Sequence, residues 1–185
     1  MKKLNKNGFT LIELLAVIVI MGILMMVAIP AMSRYIENSR RDTFLSTAKE
    51  YVNAVRNMWA SDSLYCGSTN IVSSAVDDGN YYIKIDSKTP VVNLLDSGGK
   101  SSWGNRNVTG YVRVNINSST GDRVTNYYIA LSDGTHGILD GDGGDITNPD
   151  DWKEVDSLVR GDVQTTGATT AKAAIPASAT TCVEG

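Results

Sequence analysis

One histidine stands among 185 residues, and no serine, cysteine or lysine motif accompanies it as an activated nucleophile. Covalent and acid–base catalysis depend on such partnerships, so His136 alone points away from an enzyme. Cysteine is nearly as scarce. Cys66 and Cys182 allow one intramolecular bridge, and the alternative is two free thiols. Basic residues are outnumbered, 17 Lys and Arg against 20 Asp and Glu, for a net charge of −3. An acidic exterior disfavours phosphate, and nucleic acid is therefore an unlikely partner. No internal repeat is evident. At 42% hydrophobic, the chain suffices for one anchor and one modest globular domain.

What is present begins with a long apolar run carrying one acid at its edge. From Leu14 to Met32 there are 19 residues without a charge. About twenty helical residues at 1.5 Å each cross roughly 30 Å of hydrocarbon, so this is a candidate membrane helix. Glu13 opens it. An acid at the centre of such a helix costs about 2.5 to 3.5 kcal/mol on insertion scales and less towards the end, so its placement calls for a partner cation. Its own helix offers a weaker reading, because a carboxylate in the first turn gains about 0.3 to 1 kcal/mol from the macrodipole. Before the run, residues 1–8 carry Lys2, Lys3 and Lys6 and no apolar core. A secretory signal peptide is ordered differently, with the apolar region removed by cleavage, although Ala28-Ile29-Pro30-Ala31 is a competing cleavage site.

The segment Lys6-Asn7-Gly8-Phe9-Thr10-Leu11-Ile12-Glu13, followed by an apolar helix with Pro30, resembles the N-terminus of a type IV pilin. The resemblance is close through Tyr35 and architectural beyond it. It implies a leader at 1–8 removed after Gly8 by a prepilin peptidase, N-methylation of the new terminal Phe9, and an assembly role for Glu13. It also implies a filament subunit, as a major pilin, that waits in the cytoplasmic membrane and then joins a surface pilus used in adhesion and motility. Its partners are then copies of itself and the pilus assembly machinery. Cleavage would give Phe9 an α-ammonium whose charge methylation preserves. Glu13 of one subunit would meet that ammonium on a neighbour, neutralising both charges in an apolar bundle. A secretion pseudopilin and a DNA-uptake pilin share the leader and remain alternatives. Loss of three lysines leaves 14 Lys and Arg against 20 acids, a mature charge of −6. Lys2, Lys3 and Lys6 on one side are balanced by Arg34, Arg40 and Arg41 on the other, so the resemblance, not the charge count, sets the orientation.

Beyond the run at 9–32, residues 33–60 read as an amphipathic continuation. Phe44, Ala48, Tyr51, Val52, Val55 and Trp59 recur at three- and four-residue steps. Phe9 to about Ala60 then forms one helix, about 78 Å long at 1.5 Å per residue. Gly22 and Pro30 are its weak points, through low helix propensity and a lost hydrogen bond. The resemblance implies melting between them on assembly, and a simple kink is the alternative.

Residues 61–185 break into short segments separated by Gly, Ser, Asn and Asp, the pattern of strands joined by turns. Tyr111 to Ile116 and Val124 to Leu131 form the clearest hairpin, with Tyr81 to Ile85 and Gly137 to Leu139 as further strands. The fold class is α+β, a long N-terminal helix packed on a small antiparallel sheet. Trp103 and Trp152 read as packing residues, and Thr165 to Thr181 as an extended surface segment. Asp140, Asp142 and Asp145 lie in a Gly-rich stretch without Lys or Arg. Calcium uses such oxygen-rich loops, yet the terminal glutamate of an EF-hand loop is missing, and aspartates that cap their own turns are the alternative. No cofactor is otherwise expected. Pilins often pin the C-terminal region with a disulfide, usually over a shorter separation than that of Cys66 and Cys182.

Overall fold

The computed structural model describes residues 9–66, 69–72, 77–87, 95, 106–117, 124–138, 154–165 and 180–182. Trp103, Leu139, Asp140, Asp142, Asp145 and Trp152 lie outside them, as does Gly8. Helix α1 spans Leu11–Ala60, and the chain divides into two compact units between Ser39 and Arg40.

The helix begins two residues later than its apolar pattern suggests, because Thr10 caps it. The Thr10 hydroxyl accepts the Glu13 N–H at 3.3 Å, and Glu13 Oε2 accepts the Thr10 N–H at 2.9 Å. These reciprocal bonds satisfy amides that the first turn leaves without intrahelical partners. At the other end Asp62 adopts φ 57°, the left-handed conformation. Its N–H reaches the Trp59 carbonyl at 3.1 Å, and the Ser63 N–H reaches that of Met58 at 2.9 Å. That pairing is a Schellman ending, with Asp62 where glycine is more usual. Asn70 steadies it by donating to the Asp62 carbonyl at 3.0 Å and to its Oδ1 at 3.2 Å.

In the first unit every large apolar side chain from Phe9 to Met32 is at least half exposed, from 50% at Val17 to 90% at Phe9. The helical assignment passes unbroken through Gly22 and Pro30. No neighbouring atom lies within 4 Å of where a Cβ at Gly22 would sit, so the single chain does not require glycine there for space.

The second unit has its own core. Phe44, Ala48, Tyr51, Val52 and Val55 are buried along one face of α1 against a sheet, and Trp59 is partly buried beside them. Among the described residues that sheet has six strands: β3 (Gly79–Asp86), β4 (Thr109–Asn117), β5 (Val124–Ser132), β6 (Gly137–Ile138), β7 (Val163–Gln164) and β8 (Thr180–Cys182). The spatial order is β7-β6-β5-β4-β3-β8. A separate two-stranded pair, β1 (Tyr65–Cys66) with β2 (Thr69–Asn70), follows the helix.

Register explains the burial. Ile83 pairs with Val112 and Val112 with Ile129, while Tyr81, Val114 and Tyr127 form the adjacent row. With a side-chain period of two, both rows face the helix, and each fully buried Val or Ile contributes about 1.5 to 3 kcal/mol. Ile85, Gly110 and Leu131 make a third row. Gly110 has φ +154°, and a Cβ there would overlap the Ala130 carbonyl. Only glycine tolerates both conditions.

The opposite face is more buried than strand alternation suggests, with Tyr82, Tyr111 and Arg113 all covered. Tyr82, Arg113 and Tyr128 align across three strands, and the Arg113 guanidinium sits 4.1 Å from the Tyr128 ring centroid. Tyr82 and Tyr111 meet edge to face at 5.4 Å. Asn80, Asn115 and Asn126 form a neighbouring row, in which Asn115 donates to Asn80 at 2.8 Å. Burial pushes the Tyr111 phenol well above its ordinary range, with Tyr82 adding and Arg113 opposing. Burial, assisted by Glu50, pushes Tyr51 up to about 12.

The sheet is antiparallel, as the sequence pattern suggests, with one parallel pair at its edge, where β8 runs alongside β3 and pairs Ile83 with Cys182. Parallel neighbours need a long connection, and β8 returns almost a hundred residues after β3. At the other edge, 3-10 turns at Val155–Ser157 and Arg160–Asp162 bury Val155 and Leu158 before β7. Asp162 Oδ2 accepts the Val159 N–H at 2.7 Å. Arg160 grips the Asp42 carboxylate with two nitrogens, and Arg56 meets Asp156 at 2.8 Å. The pairs are solvent-exposed, so they orient this segment more than they stabilise it.

Two outcomes follow for the full-length chain in detergent. Gly110→Ala should destabilise the second unit by roughly 2 to 4 kcal/mol, from positive-φ strain and overlap with Ala130. A drop in denaturation midpoint by tryptophan fluorescence measures it, and an unchanged midpoint contradicts the packing at β4. Stability should also fall between about pH 10 and 12. The folded phenol of Tyr51 titrates near 12 and the unfolded one near 10, so the fold holds a proton that the unfolded chain releases. Tyr51→Phe should flatten that decline, read from midpoints across the alkaline range.

Candidate functional site

The candidate site is the start of α1, where a carboxylate, a hydroxyl and an apolar surface lie together. Phe9 is 90% exposed and precedes the capped turn. Glu13 Oε2 accepts two bonds from Thr10, from the N–H at 2.9 Å and the hydroxyl at 2.8 Å. Both are made by one oxygen, which fixes the carboxylate within its own first turn. The Thr-x-x-Glu spacing that encodes this box is visible in the sequence, and a reading fixed on membrane insertion passes over it. Further along, the Ser33 hydroxyl donates to the Ile29 carbonyl at 3.1 Å, just after Pro30.

The surface around this turn is continuous and apolar. Among the described residues one helix, α1, is long and apolar enough to cross a membrane. Among the described residues of the first unit, none covers it.

In the second unit the remaining candidate residues separate. Cys66 and Cys182 are joined by a disulfide, tying the strand after the helix to edge strand β8. Asp140, Asp142 and Asp145 lie outside the described residues, which supply no coordination geometry for them. The acidic stretch starts at Asp133, which is described, and this residue closes a turn. Its Oδ1 accepts the N–H of Thr135 at 2.8 Å and of His136 at 2.6 Å. His136 is buried, 6.1 Å from the Phe44 ring and with Nδ1 3.7 Å from Asp133 Oδ2. The histidine thus stands between the β5–β6 turn and the helix, as a packed residue.

The family described as the prokaryotic N-terminal methylation motif matches residues 3–29. Two curated relatives, both fimbrial proteins of Pseudomonas aeruginosa, are 31% identical to this chain over 137 residues. Each alignment covers 72% of this chain and 82% of the relative. The chain belongs to the type IV pilin family. No solved structure matches it with significance.

This pilin carries the methylation motif on the segment that includes Gly8, Phe9, Glu13 and Gly22, and the motif ends one residue before Pro30. The identity with the fimbrial proteins extends well past the motif, so the family assignment rests on the second unit as well as on the helix. The family is that of a structural subunit.

The disulfide generates a prediction. It closes a loop with a sequence separation of 116, and the loop-entropy account gives about 4 to 5 kcal/mol for such a closure. Paired replacement Cys66→Ser and Cys182→Ser should lower the unfolding midpoint of the full-length chain by a comparable amount. Hydrogen exchange should rise first in β8 and along the β3 amides that face it. Uniform exchange throughout the sheet would contradict the local role assigned to the bridge.

Proposed function

We propose that this pilin is cut after Gly8 by a prepilin peptidase, is N-methylated on Phe9, and polymerises through its N-terminal helix into a surface filament. The observation that carries the proposal is the exposure of every large apolar side chain from Phe9 to Met32, beside a second unit whose core is complete without them. Such a surface needs two covers in turn. Lipid of the cytoplasmic membrane covers it in the monomer, and the same helices of neighbouring subunits cover it in the filament. The machinery of pilus assembly makes that exchange, and the melting of Gly22 to Pro30 lets the helices adjust to their neighbours. Adhesion, aggregation and twitching-type motility are the filament's roles. No catalytic step is assigned to the subunit.

Glu13 selects the register. Within one chain its carboxylate is satisfied by Thr10, which makes the free subunit tolerable in lipid. On assembly it accepts the methylated ammonium of a neighbour's Phe9. A subunit seated elsewhere leaves that ammonium unpaired in an apolar bundle, at a cost of about 3 to 5 kcal/mol.

Glu13→Gln keeps the shape and removes the charge, so it should leave the subunit membrane-bound and folded while filament yield falls at least ten-fold. Sheared filaments, total subunit and N-terminal mass are measured together. Wild-type filaments should contain subunits beginning at Phe9 with one added methyl group. Normal yield of filaments built from correctly cut Glu13→Gln subunits would refute the pairing, and wild-type filaments beginning at Met1 would refute the cleavage.

A further inference from the structure

We propose that Arg34 and Tyr35 form a headgroup site for an anionic phospholipid, which holds the waiting subunit at a fixed depth in the membrane. The site deepens the membrane-inserted reading above and rests on it. The uncharged run Leu14 to Met32 measures about 28 Å at 1.5 Å per residue, close to the roughly 30 Å of a hydrocarbon core. With the run seated in that core, Arg34 and Tyr35 fall in the headgroup layer. Tyr35 is 73% exposed, and tyrosine concentrates at that layer because its ring is apolar and its hydroxyl is wet. Arg34 is exposed too, and its planar fork matches two oxygens of a phosphate.

Arg34 differs from most of the other described arginines. Arg56 and Arg160 hold aspartates, Arg41 donates to Thr165 at 3.5 Å, and Arg113 lies on Tyr128. Arg34 makes no ion pair or side-chain hydrogen bond among the described residues, although it stands well within helix α1. The acids available on the first unit do not answer it. Glu13 lies at the far end of the span and is held by Thr10, and Glu37 already has a partner. The waiting subunit has no second copy packed against this helix, so at that stage a lipid phosphate is the occupant. Fixing one end of the span fixes the other. With Arg34 at the outer headgroups, Glu13 rests at the opposite boundary of the hydrocarbon, where an acid is far less costly than at its centre.

The test is native mass spectrometry of the full-length chain in detergent, titrated separately with phosphatidylglycerol and phosphatidylcholine. Arg34→Gln should weaken phosphatidylglycerol binding about five-fold and leave phosphatidylcholine binding unchanged. Arg34→Lys should retain most of the preference, because the charge remains. Lys2, Lys3 and Lys6 are common to all three chains and do not contribute to the difference. Equal phosphatidylglycerol affinity in the wild type and Arg34→Gln overturns the proposal. Loss of filaments in that variant with lipid affinity intact assigns Arg34 to a contact between subunits and overturns it equally. The membrane reading itself fails separately, if the wild-type chain binds neither lipid and is recovered in the aqueous phase without detergent.

Discussion

The constraint on which everything else depends is that one helix serves two different surroundings. Up to Met32 it is apolar all round, and in water such a surface has no stable resting place. From Phe44 onward the apolar residues narrow to a single stripe, and the rows Ile83–Val112–Ile129 and Tyr81–Val114–Tyr127 cover it. The change of pattern within a single element lets the second unit complete its core with its own residues. The first half of the helix is thereby left free to be covered by something outside the chain.

The ends of the helix show how little is left to chance around that division. Thr10 and Glu13 close the amino end by exchanging hydrogen bonds, and Asp62 closes the carboxyl end in a left-handed turn steadied by Asn70. Each device satisfies backbone groups that hydrocarbon or a packed core would otherwise leave unpaired. Within the subunit the Glu13 carboxylate is held by Thr10, which is how an acid is accommodated at the threshold of an apolar run.

Legibility in the sequence tracked the number of residues that repeat a pattern. The stripe from Phe44 to Trp59 covers four turns and the β4–β5 hairpin alternates over nine residues on each strand, so both are readable before any coordinates. Strand β8 has three residues, too few to show alternation, and a partner almost a hundred residues away decides its direction. Arg113 was illegible for another reason. On a strand it reads as a solvated polar residue, yet two flanking tyrosines bury it, and cross-strand neighbours are invisible in a linear pattern. At the candidate site, the methylation motif was plain because Gly8, Phe9 and Glu13 are close in sequence. The Thr10 cap was equally local and was obscured by the larger hydrophobic signal around it. Asp133 belonged by composition to an acidic, metal-like stretch, and its two short bonds to backbone amides mark it as a turn residue.

The Cys66–Cys182 bond has a mechanical consequence. Tension entering along the helix meets Cys66 six residues after Ala60, and from there one covalent route leads straight to β8. The intervening sheet lies on a branch parallel to that route. A pull between the helix and the C-terminal strand is therefore borne by a sulfur–sulfur bond, and the hydrogen-bonded ladder from β3 to β7 is spared. Stretched this way, the oxidised head cannot release the chain stored between its two cysteines.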